Sequence, residues 1–460
     1  MKILFYNWCP LSESEGGGIT IYQNNLLNYL AETDNSIESF FLCSGFYYNN
    51  KKKSYIREEK VEKKYRVFSI VNSPVYAPMR APADNFQRMI DDETLPLIIK
   101  EFLIQNGPFD VIHFQTLEGL SLNVLNLKSE FPNTKFVFSL HNYTAFCPNV
   151  MLWTESNNNC YLNQNKQKCE DCMQRYSIPP TRFLLWSRKI SDSKHEKLYY
   201  ISRGIKFLSR KYLPVNKKKN SKVYNLYISE SIKSINKNID IVLAVSKRVK
   251  EIAVNRGIDK SKVFVSYIGT KFADTAIYHN KKNPYKNPFT VVYMGYMRVE
   301  KGFYFFLDCL DNIDPDISKN IELIFATKIT DVFAKRRIEN LAKKFAKVTL
   351  YDGYTHEDIS KILANAHLGV VPVLWEDNLP QIAIEMISNG VPVLTSNLGG
   401  ANELNNSESF IFIGGNHESF IQKLKTLYND RNRLVDYWNN SVKLTTIEEH
   451  IRFLKKIYSD

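Results

Sequence analysis

The sequence predicts an α/β protein built from two facing, doubly wound, Rossmann-like domains. Three observations carry this. The chain has 460 residues, too many for one hydrophobic core. Strand-like and helix-like segments alternate along nearly all of it. A polar interval, HNKKNPYKNP (His279 to Pro288), interrupts that alternation, which then starts afresh. The boundaries that follow are 1–278 for the first domain and 286–440 for the second. Residues 441–460 form a terminal amphipathic helix expected to pack back on the first domain.

Lys2 to Trp8 reads as the first strand. Ile19 to Glu32 reads as a helix, with Ile19, Tyr22, Leu26, Leu27 and Leu30 at helical spacing. SIESFFLCS is a second strand. VIHF (Val111 to Phe114) and KFVFSL (Lys135 to Leu140) are short unbroken apolar runs, as expected of strands covered on both faces. DIVLAVS and KVFVSYIG repeat the pattern around a helix. Beyond the linker come FTVVYMG, IELIFAT, VTLYDG, LGVVPVL and VPVLTS as strands, with helical stretches between them. Open sheets of this kind bind ligands at the carboxyl ends of their strands, so a shared cleft is expected there.

Composition narrows the partners. The formal net charge is +13, which favours anionic ligands or surfaces. Thirteen Lys and Arg lie between Arg182 and Val223, interleaved with Phe183, Leu184, Leu185, Trp186, Tyr199, Tyr200 and Phe207. A solvated helical face and an interfacial contact with anionic membrane are the two readings. No zinc-finger, RNP or helix-turn-helix pattern supports nucleic acid. No apolar run reaches the length of a membrane span. The N-terminus reads as a strand entering a glycine loop rather than as a signal peptide. A cytoplasmic protein with mostly reduced cysteines is expected.

Candidate site residues cluster after strand ends. Glu385 stands alone among Ile382, Ala383, Ile384, Met386 and Ile387, in a helix that Pro380 opens and Asn389-Gly390 closes. A carboxylate so placed is costly unless it is paired or hydrogen-bonded. A pair of ligand hydroxyls would satisfy it; an exposed helix face or a lysine partner is the alternative. Asp377 and Asn378 lie in the turn before that helix, whose free amides suit an acceptor-rich ligand. MGYMRVEKGF brings Arg298 and Lys301 to a helix start, as a diphosphate site or as an ordinary solvated pair. The loop EGGGI (Glu15 to Ile19) lets backbone approach a phosphate or sugar, or makes a plain tight turn. SNLGGANEL (Ser396 to Leu404) is a further glycine loop, with Glu403 near a helix start.

Four of the seven cysteines, Cys147, Cys160, Cys169 and Cys172, lie in one polar loop with the spacing C-x12-C-x8-C-x2-C. A structural zinc site that staples this loop is expected; free thiols and a redox or disulfide pair are the alternatives. Cys9, Cys43 and Cys309 sit in apolar segments and read as core residues.

Taken in order, the glycine loop, the G…KG cationic loop, D-NLPQIAI-E, G-VPV and GG..EL resemble the retaining nucleotide-sugar glycosyltransferases of family four, with their GT-B fold. DIVLAVS resembles that family's D-x-x-x-x-x-S strand. The resemblance covers nearly the whole chain and is most specific from Val291 to Leu404. It implies that Glu385 holds the ribose hydroxyls of a UDP- or GDP-sugar and that Asp377 contacts the donor sugar, with the backbone at Asn378 and Leu379. It implies Lys301, with Arg298 as a candidate, at the diphosphate. Gly17 and Gly18 would lie by the phosphates or the acceptor, and His141 near the transferred sugar. The acceptor would be a hydroxyl of a glycan or lipid-linked intermediate in surface polysaccharide synthesis. No catalytic metal is expected where cations clamp the diphosphate. Three positions depart from the pattern: Asp377 replaces the usual Glu, with Glu376 beside it as an alternative that the spacing disfavours, Tyr296 replaces an Arg, and Ile268 an Asn. A nucleotide-sugar epimerase or phosphorylase of the same fold is one alternative. A non-enzymatic basic protein that binds membrane or nucleic acid is another.

Overall fold

A computed structural model describes residues 1–11, 17–49, 53–60, 63–77, 83–161, 169–173, 221–439 and 441–459. Most of the basic tract, Arg182 to Asn220, lies outside the described residues, as do Glu15 and Gly16 of the first glycine loop.

Two sheets organise the chain. The first contains β1 (Lys2–Tyr6), β2 (Glu38–Tyr47), β3 (Tyr55–Glu58), β4 (Arg66–Val71), β5 (Val111–Phe114), β6 (Lys135–Leu140), β7 (Ile241–Ala244) and β8 (Val263–Val265). Their order is β3-β4-β2-β1-β5-β6-β7-β8. Every pairing is parallel except that of the edge strand β3 with β4. The second sheet contains β9 (Phe289–Met294), β10 (Ile321–Thr327), β11 (Lys347–Asp352), β12 (Leu368–Val371), β13 (Val393–Ser396) and β14 (Ile411–Phe412). Its order is β11-β10-β9-β12-β13-β14 and all its pairings are parallel. The order reverses beside β1 in one sheet and beside β9 in the other, which marks two topological switch points.

The apolar runs became interior strands. All four residues of β5, all six of β9 and all four of β12 are buried, as a sheet covered on both faces requires. The helix Gly18–Thr33 buries Tyr22, Leu26, Leu27 and Leu30 at the spacing the sequence shows. Each such leucine contributes about 1.5–3 kcal/mol relative to exposure. Strands β3, β4 and β14 were not anticipated. β14 has two residues, too few for any periodicity to show. β3 is part-exposed along its length and lacks an apolar run.

His279 to Pro288 carries neither strand nor helix and joins the two sheets. The chain later returns to the first domain. There the helix Ile447–Ser459 lies on the helix Gly18–Thr33. His450 Nε2 is 2.7 Å from the Tyr22 hydroxyl, and the Tyr458 hydroxyl is 2.6 Å from His113 Nδ1. Lys135 Nζ donates to the Ile457 and Tyr458 carbonyls that end the helix, a cation placed where the helix dipole favours one. Among the described residues no helix is long and apolar enough to cross a membrane.

Candidate active site

The two switch points face one another across a cavity of about 670 Å³. Its walls include Gly17, Gly18, His141, Lys301, Asp377, Asn378, Leu379 and Glu385. Residues far apart in sequence thus meet at the carboxyl ends of two parallel sheets.

The helix Gln381–Ser388 supplies the second-domain wall. Pro380 is its N-cap rather than its first helical residue, and Asn389 with the left-handed Gly390 closes it. Glu385 is only 5% exposed, and the little surface left to it opens on the cavity. Burial pushes its pKa up to about 8. Its side-chain neighbour is His356 Nδ1, at 3.5 Å. The carboxyl therefore faces a cavity rather than bulk water or a lysine.

The two acids before that helix separate. Asp377 accepts a hydrogen bond from Lys301 Nζ at 2.6 Å, and that ammonium lies 5.1 Å from the centre of the Trp375 ring. Glu376 turns away from the cavity toward Arg248 of the first domain, at 2.5 and 2.9 Å. Lys301 is placed by its neighbour. Gly302 is left-handed, and a Cβ there would stand 1.6 Å from the Pro372 carbonyl oxygen. Only glycine allows the loop to press so closely on the end of β12.

Not every expected residue arrives. Arg298 does not line the cavity: it is about half exposed, 3.7 Å from Glu300 and stacked over Tyr296. The second cation at the cavity is Lys328, one residue beyond the end of β10. That placement is the signal that would have found it, since cleft residues follow strand ends. His356 and Gln381 also line the cavity and were not singled out in the sequence; Gly353 and Tyr354, expected near the nucleotide base, line it too.

On the first-domain wall, Gly17 adopts φ 59° as the cap of its helix. Gln381 donates to the Gly18 carbonyl at 3.0 Å, across the cleft. His141 follows β6, and its Nε2 lies 2.7 Å from Gln115 Oε1. With the amide oxygen accepting, Nε2 carries the proton. Burial, with His450 nearby, pushes the imidazole pKa down to about 3, so the ring is neutral at pH 7. Asn378 donates to the Leu140 carbonyl at 3.4 Å.

The other glycine pair is not a ligand cradle. The Gly400 N–H donates to the Asp377 carbonyl at 2.7 Å, and a Cβ on Gly399 would stand 2.2 Å from that same oxygen. Its role is to let two loops of the second domain touch. Glu403 accepts from the Lys247 and Arg248 amides at 2.9 and 2.8 Å and from the Tyr267 hydroxyl at 2.6 Å. It caps a first-domain helix from across the domain boundary.

The expected zinc site is not shown. Among the described residues no group of three or more His, Cys, Asp or Glu side chains is placed to hold a metal ion. Cys147, Cys160, Cys169 and Cys172 nonetheless lie near one another, close enough for their charges to interact. Burial, and after it the neighbouring cysteines, push the thiols of Cys147 and Cys169 up to about 11 and about 12. Sequence spacing pinned only the C-x2-C half; the loose intervals leave the other two positions undetermined.

Residues 288–430 match the family described as glycosyl transferases group 1. No curated protein matches the chain. Among solved structures, the whole chain is similar to sucrose-phosphate synthase from Thermosynechococcus elongatus, with 13% identity, 98% of that chain covered and a TM-score of 0.59. It is similar over its full length to Anabaena Alr3699/HepE in complex with UDP, with 13% identity, 100% of that chain covered and a TM-score of 0.59. A third such structure is the lipopolysaccharide outer core galactosyltransferase WaaB in apo form, with 14% identity, 99% of that chain covered and a TM-score of 0.57. At these identities the structural likeness speaks to the fold, which is GT-B. The second domain is a glycosyl transferases group 1 domain, and the chain is a glycosyltransferase.

Proposed function

We propose that the chain is a retaining glycosyltransferase of family four. It moves a sugar from a UDP- or GDP-sugar to a hydroxyl of a glycan or lipid-linked acceptor, in surface polysaccharide synthesis. The observation that carries this reading is Glu385: a buried carboxyl aimed into a cavity that the same domain also lines with Lys301 and Asp377. The solved structures of Anabaena Alr3699/HepE hold UDP and UDP-glucose, which supports a nucleotide-sugar donor here.

In this reading Glu385 accepts from the two ribose hydroxyls, and Lys301 and Lys328 meet the diphosphate. Negative charge gathers on the diphosphate as the bond from the anomeric carbon to oxygen breaks. Fixed cations beside it lower the barrier because that charge is larger in the transition state than in the bound donor. Asp377 and the backbone of Asn378 and Leu379 contact the sugar. His141, neutral at pH 7, hydrogen-bonds a sugar hydroxyl. With a pKa near 3 the imidazole is too weak a base to take the acceptor proton. The departing phosphate oxygen takes it instead, while the acceptor oxygen bonds to the anomeric carbon on the face the diphosphate leaves. Configuration is thereby retained through an oxocarbenium-like state, and closure of the cleft keeps water out. The net charge of +13 supports a cytoplasmic enzyme that meets an anionic lipid carrier at the membrane face.

A thermal-shift panel of UDP- and GDP-sugars tests the donor assignment, since a ligand of the folded state alone raises the melting temperature. The matching donor should also be slowly hydrolysed to free nucleoside diphosphate, and Glu385→Ala should abolish this. If no nucleotide sugar shifts the melting temperature or is cleaved, the reading fails.

A further inference from the structure

Glu376, the neighbour of Asp377, is held in a way that donor chemistry does not explain. It lies in the second-domain loop between β12 and the helix Gln381–Ser388, and it is 2% exposed. All its polar groups are engaged, almost entirely by the first domain. Its N–H donates to Asn159 Oδ1 at 3.1 Å. Its carbonyl accepts from the Tyr143 hydroxyl at 2.8 Å. Oε1 accepts from Arg248 Nη2 at 2.5 Å and from the Tyr161 hydroxyl at 3.3 Å. Oε2 accepts from Arg248 Nε at 2.9 Å and, within its own domain, from the Gly399 N–H at 3.0 Å. Asn159 also donates to the Leu374 carbonyl at 2.9 Å.

These partners come from separate places in the first domain. Tyr143 follows β6, Asn159 and Tyr161 lie on the cysteine-bearing loop, and Arg248 belongs to the helix Lys247–Asn255 after β7. A second acid, Glu403, holds the first turn of that same helix. A buried carboxylate–guanidinium pair adds little net stability over an apolar replacement, because desolvation offsets the attraction. What the bidentate geometry supplies is a fixed register. One peptide bond beyond this fixed point stands Asp377.

We propose that Glu376 is a positioning residue, the plug by which the first domain sets the place of Asp377 on the second. Approach of the domains and assembly of the sugar-side site are then one event. The nucleotide side, Glu385, Lys301 and Lys328, belongs wholly to the second domain, and of these only Lys301 touches Asp377. This rests on the nucleotide-sugar reading above.

The test separates turnover from nucleotide binding. Glu376→Gln keeps shape and most hydrogen bonds but weakens the guanidinium contact. The double variant Glu376→Gln/Arg248→Met leaves no unpaired buried charge. Both should keep the affinity for the free nucleoside diphosphate within about threefold, while kcat falls roughly 10–100-fold, as a displacement near 1 Å costs. The double variant should lose no more than Glu376→Gln alone. Small-angle scattering of the ligand-free double variant should show a larger radius of gyration than the unsubstituted chain. Unchanged kcat in both variants, or nucleotide affinity falling in step with kcat, overturns the plug. If the unsubstituted chain turns over no nucleotide sugar, the functional reading fails, and scattering alone then decides the coupling: an unchanged radius sinks it.

Discussion

The two walls of the cleft are built on different principles. The second-domain wall is charged: Lys301, Lys328, Asp377 and Glu385 converge on the cavity from loops that follow strands and from one helix. The first-domain wall presents Gly17, Gly18, the neutral imidazole of His141, Asn142 and Tyr22. Under the proposed reading, the charged wall handles the diphosphate and ribose, where charge develops. The neutral wall contributes shape and hydrogen bonds. The same division separates the two glycine loops. Gly17 has open space where a Cβ would sit, whereas Gly399 presses on the Asp377 backbone.

The largest expected effect would break this comparison most directly. Lys301→Ala should lower kcat roughly 10²–10³-fold at saturating donor, the cost of removing a preorganised charge at a developing anion. His141→Ala, which removes a neutral hydrogen bond, should cost only about 5–10-fold. Steady-state kinetics that rank His141 above Lys301 would overturn the assignment of roles to the walls.

Glu385 provides a test that needs no substrate. The carboxyl titrates near pH 8 in the folded chain against an ordinary value of 4.5. Below pH 4.5 it is protonated in both states and has no effect on stability. Between the two values the unfolded chain has released the proton that the native state retains, so native stability falls as pH rises toward 8. Glu385→Gln should therefore melt level with the unsubstituted chain at pH 4 and higher than it at pH 8. The gain would be at most about 5 kcal/mol. Equal melting temperatures at both values would mean that the carboxyl is not held in the environment described.

The glycine loops sharpen the comparison at smaller scale. Gly399→Ala meets both a positive φ and a 2.2 Å contact with backbone, so it should destabilise by about 3 kcal/mol or more. Gly17→Ala meets strain alone and should cost about 1–3 kcal/mol. Chemical denaturation that finds Gly17→Ala the worse of the two would contradict the packing described for both loops.

Much of the charged wall was legible because its residues sit on short contiguous segments. Asp377 and Glu385 are eight residues apart, and the Pro and Asn-Gly that frame the helix are local signals. Strands β5, β9 and β12 were legible as apolar runs. The rest was not, for physical reasons. Lys328 and His356 look like any surface cation or imidazole until a strand end places them. Arg298, beside Lys301 in sequence, reads as its equal, yet its backbone direction carries it toward Glu300 and Tyr296. The fold brings the four cysteines near one another, but their spacing in sequence fixes only the C-x2-C pair.

Alternation of strand and helix, the break at His279 to Pro288, and the lone carboxyl at 385 were settled by the sequence itself, because propensity, periodicity and local desolvation cost act over a few residues. Which acid of the Glu376–Asp377 pair faces the cavity was settled only in three dimensions. The answer depends on Arg248, Tyr143 and Asn159, more than a hundred residues away, and no local rule can see a partner brought close by the folding of a different domain.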